Sequence, residues 1–293
     1  MGCAELNDTE FSQPYYNMTV HNMYSTAIVY NLTSVGAATI NPFIEGNDSV
    51  QMQAAYSWNY GSVRFFDGSS GSYSAQMLLS VPAGQSAVVQ VMFSAPADAS
   101  PELFPIYSGY VTVSATGSAA ANPTVRVPYA GMVGRWKQAA VWSRHSEFGA
   151  AGFYDRSTYE VLSEGAAVSA TNGTILYVAV STASRLGRVE VVSQADGSSY
   201  IAVVDFMDSE TLLPTGDQGA LYFSPLYRNA PDEYWSPYIT LWTGLVIPFN
   251  MSYDGDAIQL GPGQYTLSFL AQKHFGNATD PLDTISTTVN LTA

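Results

Sequence analysis

The 293-residue chain has a single cysteine, Cys3. No disulfide can therefore close within it, and a cysteine-based metal site or a disulfide-stapled scaffold is excluded. It has only two lysines, Lys137 and Lys273, and only 12% of its residues are charged. Polarity comes instead from Ser, Thr, Asn, Gly and Tyr, which suit exposed sheet faces better than helices. No run of 18 apolar residues occurs, so no membrane-spanning helix is expected. Bases are scarce as well: 24 acids against 10 give a net charge of −14. That field repels polyanions and argues against a nucleic-acid partner. The first residues, Met-Gly-Cys-Ala-Glu-Leu, lack the apolar stretch of a secretory leader, which conflicts with the glycosylation acceptors elsewhere in the chain, so the chain reads as an internal fragment of a longer protein or a truncated gene product.

What is present is apolar and β-like. Apolar residues make up 47% of the chain, enough for a sizeable core, and the length suits two domains. Period-two segments dominate: in 86–93, Val89, Val91 and Phe93 alternate with Val88, Gln90 and Met92. Similar runs occur at 110–115, 124–129, 175–181, 200–205, 264–272 and 285–291. Turn residues punctuate them. Pro82 and Gly84 fit a type I turn, and Pro262-Gly263 fits a type II turn with Gly263 at positive φ. Regular short strands with little helical periodicity predict an all-β chain of two antiparallel β-sandwich domains in tandem. The expected limits are 1–133 and 171–293. Between them, 134–170 holds four of the ten cations (Arg135, Lys137, Arg144, Arg156) and reads as a connector.

Residues 81–134 carry the most specific pattern. They comprise Pro82 and Gly84, then Pro105, Tyr-Ser-Gly-Tyr at 107–110, Asn122, and Val-Pro-Tyr-Ala-Gly at 127–131. With Glu-Leu-Asn-Asp-Thr at 5–9 and the strand pair in 16–35, this order resembles the fibronectin type III-like domain of large secreted subtilisin-like serine proteases, especially fungal ones. Trp242, Gly244, Pro262, Gly263, Tyr265 and Gly276 are more loosely similar to the last β-domain of those proteases. The resemblance implies a non-catalytic accessory region, with a subtilisin-like catalytic domain as its partner in cis and that domain's protein substrates as further partners. It also implies an extracellular or wall-associated location and no cofactor. Within the signature, Tyr107, Gly109, Tyr110, Pro128, Tyr129 and Gly131 have two readings. They can shape the sheet, glycine allowing close backbone approach and proline marking an edge or strand end, or they can contact the neighbouring domain.

Catalytic groups are not legible. The motifs that hold a subtilisin-like Asp, His and Ser are missing, and so is a Gly-x-Ser-x-Gly elbow. His21, His145 and His274 do not fall at metal-ligand spacing. Asp254 and Asp256 flank a glycine, which reads as a polar hairpin rather than a calcium loop. Asp205, Asp208 and Glu210 cluster after a strand, and a glycan-active site built on them is the weakest rival. Aromatic residues concentrate at Tyr222, Phe223, Tyr227, Tyr234, Trp235, Tyr238 and Trp242. They read either as core of the second sandwich or as the face of a carbohydrate-binding or adhesin-like module, the alternative function.

Eight Asn-x-Ser/Thr acceptors for N-glycosylation occur, at Asn7, Asn17, Asn31, Asn47, Asn172, Asn250, Asn277 and Asn290. Asn17 and Asn31 fall on the polar faces of amphipathic strands, where a glycan would meet solvent. They are the main compositional argument for secretion.

Overall fold

The computed structural model describes residues 3–43, 50–116, 124–144, 150–207, 214–220, 222–223, 239–249, 257–273 and 279–293. Strands account for nearly all of its regular structure. Among the described residues the helical pieces are two 3-10 turns, Pro101–Leu103 and Trp136–Gln138. The chain divides into two compact units, Met1–Glu45 with Gln53–Trp136, and Gly46–Met52 with Lys137–Ala293.

The first ten strands are β1 (Ala4–Glu5), β2 (Tyr15–His21), β3 (Ile28–Phe43), β4 (Val50–Ser57), β5 (Ser62–Asp67), β6 (Ser72–Ser74), β7 (Met77–Val81), β8 (Ser86–Ser94), β9 (Ile106–Thr116) and β10 (Thr124–Met132). They make a six-stranded sheet, β1-β10-β9-β3-β4 with β7 also on β3, and a four-stranded sheet, β2-β8-β5-β6. Side-chain alternation fills one core from both sheets. Val89, Val91 and Phe93 of β8 and Phe65 of β5 turn inward, as do Leu32 of β3 and Val111 and Val113 of β9. Burying each such side chain contributes about 2 kcal/mol. The turn before β8 needs a left-handed residue, supplied by Gly84 at φ +66°.

The remaining strands are β11 (Gly152–Asp155), β12 (Ala166–Ser169), β13 (Thr174–Tyr177), β14 (Gly187–Ser193), β15 (Ser199–Met207), β16 (Pro214–Ala220), β17 (Tyr222–Phe223), β18 (Ile239–Trp242), β19 (Leu245–Pro248), β20 (Ile258–Gln259), β21 (Gly263–Ala271) and β22 (Asp283–Thr292). They run β11-β13-β18-β15-β14-β21-β22-β12, with four short strands attached at the sides. β15 changes partners along its length. Tyr200–Ala202 pair with β19 and Asp205–Phe206 with β18, so one strand belongs to both ladders. Strands far apart in this order meet in one core: Phe153 of β11 stacks on Phe269 of β21 at 4.6 Å, and Trp142 lies 5.5 Å from Phe269. Both units are thus sheets packed around a core, as in a β-sandwich.

Two sequence expectations meet particular residues here. Residues 134–170, read as a connector, contain β11 and β12 and place Val141, Trp142, Phe153, Leu162 and Val168 in the core of the second unit. Gly263 is corrected. It is absent from the positive-φ glycines because it opens β21 opposite Leu291, and ladder pairing holds it extended.

Asp283 is the polar anchor of the second core. Its carboxylate is buried at 5% exposure and accepts the backbone N–H groups of Val141 (2.6 Å) and Trp142 (3.0 Å). The Arg144 guanidinium donates to its other oxygen at 2.5 Å. The Trp142 indole N–H donates to the Asp283 carbonyl at 3.0 Å. A buried carboxylate is tolerated only with such partners.

Candidate binding surface

The Tyr-Ser-Gly-Tyr and Tyr-Ala-Gly segments face each other across β9 and β10. Tyr107 is in register with Gly131, and Tyr129 with Gly109. A β-carbon on Gly131 would lie 2.6 Å from the Tyr107 hydroxyl, and one on Gly109 2.5 Å from the Tyr129 hydroxyl. Each phenol thus occupies the space its partner glycine leaves open, which covers glycine in a strand with aromatic surface. Burial raises the pKa of Tyr107, and burial together with Tyr107 raises that of Tyr129. Tyr107 and Tyr129 are interior, while Tyr110 and Pro128 face outward.

The residues weighed for catalysis are placed as follows. His21 Nδ1 and Ser86 Oγ are 2.8 Å apart on an exposed strand pair. Among the described residues no carboxylate bonds to that imidazole, so nothing orients it as a base. Asp205 has a buried Oδ1 without a hydrogen-bond partner among the described residues. Asp208, Glu210, Asp254, Asp256, His145 and His274 lie outside the described residues. No group of three or more His, Cys, Asp or Glu could hold a metal among the described residues. A groove of about 480 Å³ in the second unit is lined by Arg144, Phe153, Tyr154, Leu162, Glu164 and Ser286 among others. It contains no paired nucleophile and base, and its Arg144 is engaged by Asp283.

Of the aromatic residues in 222–242, open to either a core or a carbohydrate-binding reading, one has a side chain that can be placed. Trp242 is fully buried and its indole N–H donates to the Leu245 carbonyl at 2.9 Å, so it is core. Tyr227, Tyr234, Trp235 and Tyr238 lie outside the described residues, and Tyr222 and Phe223 are described only as the backbone of β17.

A run of exposed aromatic residues stands in the first unit. Tyr56 is 75% exposed, Trp58 77% and Tyr60 41%. Tyr56 projects from β4, and the other two from the segment leading to β5. That segment is fixed at several points. Thr39 Oγ1 donates to the Asn59 carbonyl at 2.6 Å, and the Asn59 amide donates to the Asp98 carboxylate. Tyr60 lies over Gly36, where a β-carbon would come within 2.3 Å of the ring, and Gly61 abuts Tyr107. Two large rings are therefore held in water by a tethered backbone, which is the property of a preorganised contact surface. The signal was present in the sequence as Tyr-Ser-Trp-Asn-Tyr at 56–60, with aromatic and polar residues alternating.

Five glycosylation acceptors fall on described residues. Asn7, Asn17, Asn172 and Asn290 are exposed, and Asn31 is half-buried. The Asn290 amide donates to the Gly165 carbonyl at 2.7 Å. Asn47, Asn250 and Asn277 lie outside the described residues. No helix among the described residues is long and apolar enough to cross a membrane.

Comparison with known proteins gives one family match and several distant structural likenesses. No curated protein matches the chain. The CsuC–CsuE chaperone–tip adhesin complex of Acinetobacter baumannii aligns with 8% identity over 99% of this chain and 96% of that one, at TM-score 0.28. The adhesive subunit CfaE of enterotoxigenic Escherichia coli aligns with 10% identity over 99% and 97%, at TM-score 0.29. The Pseudomonas aeruginosa CupB2 chaperone aligns with 9% identity over 99% and 97%, at TM-score 0.25. These solved structures are fimbrial chaperones and adhesin subunits, and nothing in the comparisons identifies a subtilisin-like parent. The expected accessory role, its catalytic partner in cis and the fungal protease origin are accordingly withdrawn. Residues 4–130 match the family model for an Fn3-like domain, and such a domain is present in this chain.

Proposed function

We propose that the chain is an extracellular, non-catalytic binding module of adhesin type that holds a neutral glycan on Tyr56 and Trp58. In this reading the Fn3-like domain ends near residue 133, and a second β-sandwich domain runs to residue 293. The glycosylation acceptors on the surface belong to the same extracellular setting.

The observation that carries the reading is the exposure of two large rings on a tethered segment. Such rings present flat apolar faces to the C–H faces of pyranose rings, and their polar edges suit hydroxyl groups. The neighbouring Asn59 and Asp98 are bonded to each other, and their remaining oxygens, Asn59 Oδ1 and Asp98 Oδ1, are acceptors suited to hydroxyls. Aromatic platforms also stack nucleic-acid bases, but a net charge of −14 opposes a polyanion. The same field disfavours an anionic membrane or an acidic polysaccharide and leaves neutral glycans.

The test is retention on insoluble chitin, β-glucan and cellulose. Retention on at least one of them, lost in Trp58→Ala with folding intact, supports the reading. Absence of retention on all three, or equal retention of a Tyr56→Ala/Trp58→Ala variant, overturns it.

A further inference from the structure

The outward face of the six-stranded sheet places one asparagine between the apolar Leu78 and Val29 and a row of hydroxyl side chains, Thr33, Thr112, Ser114 and Thr116. Along β3, Val29, Asn31, Thr33 and Val35 alternate with the buried Tyr30 and Leu32. Asn31 is in register with Leu78 of β7 on one side and with Ser114 of β9 on the other. Leu78 is 65% exposed, and Val35, in register with Tyr110, is 55% exposed. Directly opposed side chains on a sheet lie within about 5.5 Å of each other at their β-carbons. Whatever is attached to Asn31 therefore begins beside Leu78.

The Asn31 amide is arranged for such an attachment. Its Oδ1 accepts the Gln76 amide at 2.8 Å, while its Nδ2 donates no hydrogen bond among the described residues. The Asn290 nitrogen, by contrast, is engaged with Gly165. Substitution on the Asn31 nitrogen preserves its one bond and costs none. Thr33 completes the acceptor sequence.

We infer that Asn31 carries an N-linked glycan whose first sugars lie over Leu78 and Val29. The glycan takes the place of a partner protein on this face. In its attachment, a bond forms between Asn31 Nδ2 and the anomeric carbon of an oligosaccharide carried on a lipid diphosphate. The anomeric carbon–oxygen bond to the diphosphate breaks, the lipid diphosphate departs, and the amide nitrogen loses one proton. The inference rests on the extracellular reading above, because transfer requires passage through a secretory compartment.

The test is expression of the full chain behind a leader in a glycosylating eukaryotic host, with peptide mapping of every acceptor. Occupancy at Asn31 is expected. Thr33→Ala, which keeps Asn31 and its bond to Gln76, removes the glycan and produces self-association in light scattering, reversed by adding Leu78→Ser. An empty Asn31 beside occupied Asn17 or Asn290 overturns the inference and leaves the extracellular reading standing. Empty acceptors throughout overturn both. An occupied Asn31 whose removal by either Thr33→Ala or Asn31→Gln leaves the chain monomeric overturns the covering role.

Discussion

The Tyr107 phenol lies across the β9–β10 ladder over Gly131, so close that a β-carbon there would sit 2.6 Å from its hydroxyl. The mirror relationship, Tyr129 over Gly109, makes the two signatures one reciprocal device. A side chain at either glycine must displace a buried ring. Gly131→Ala and Gly109→Ala are therefore expected to destabilise the first unit by about 1–3 kcal/mol each. Urea unfolding followed by far-UV circular dichroism checks this. No change in midpoint would show that the rings move freely.

Tyr129 is 2% exposed and its hydroxyl has no hydrogen-bond partner among the described residues. Removing an unpaired buried hydroxyl relieves a desolvation cost, so Tyr129→Phe is expected to be neutral or stabilising by about 1 kcal/mol.

The same burial sets a pH dependence. Tyr107 and Tyr129 titrate above their ordinary 10.0 in the folded chain because burial penalises the phenolate. Below pH 10 both states are protonated and the stabilisation is fully present. Above it the unfolded chain loses protons first, and stability falls as pH rises through the raised folded values. Denaturant midpoints at pH 8 and pH 11, with tyrosinate absorbance, check the sign. Tyr129→Phe lowers the sensitivity.

Asp283 ties β22 to the backbone of Val141 and Trp142 and to Arg144. Asp283→Asn leaves the shape but replaces one acceptor oxygen with a donor that faces N–H groups. A loss of about 2–4 kcal/mol is expected in the second unit. Hydrogen exchange should show the Val141 and Trp142 amides losing protection before the first unit does.

Much of the fold was legible because alternation is a local signal. Val89, Val91 and Phe93 announce β8 and its inward face, and Pro82 with Gly84 announces the turn before it. The partnering of β15 with two ladders is long-range and leaves no local trace. Trp242 was ambiguous because all four residues of β18 are buried, so that strand has no polar face to reveal its orientation. The segment 134–170 read as a connector because its cations are dense, yet Trp142 and Phe153 between them reach the core. Tyr56 and Trp58 were overlooked because alternating aromatic residues usually indicate a buried face. Only the exposure of both rings separates a surface from a core.

The most direct test of the account is a calorimetric titration of the full chain with soluble oligosaccharides of the polysaccharide that retains it. The account predicts saturable binding that Trp58→Ala weakens by about 10- to 100-fold, equivalent to about 1.4–2.8 kcal/mol, with unfolding midpoints unchanged. Wild-type affinity in a folded Tyr56→Ala/Trp58→Ala variant would contradict it.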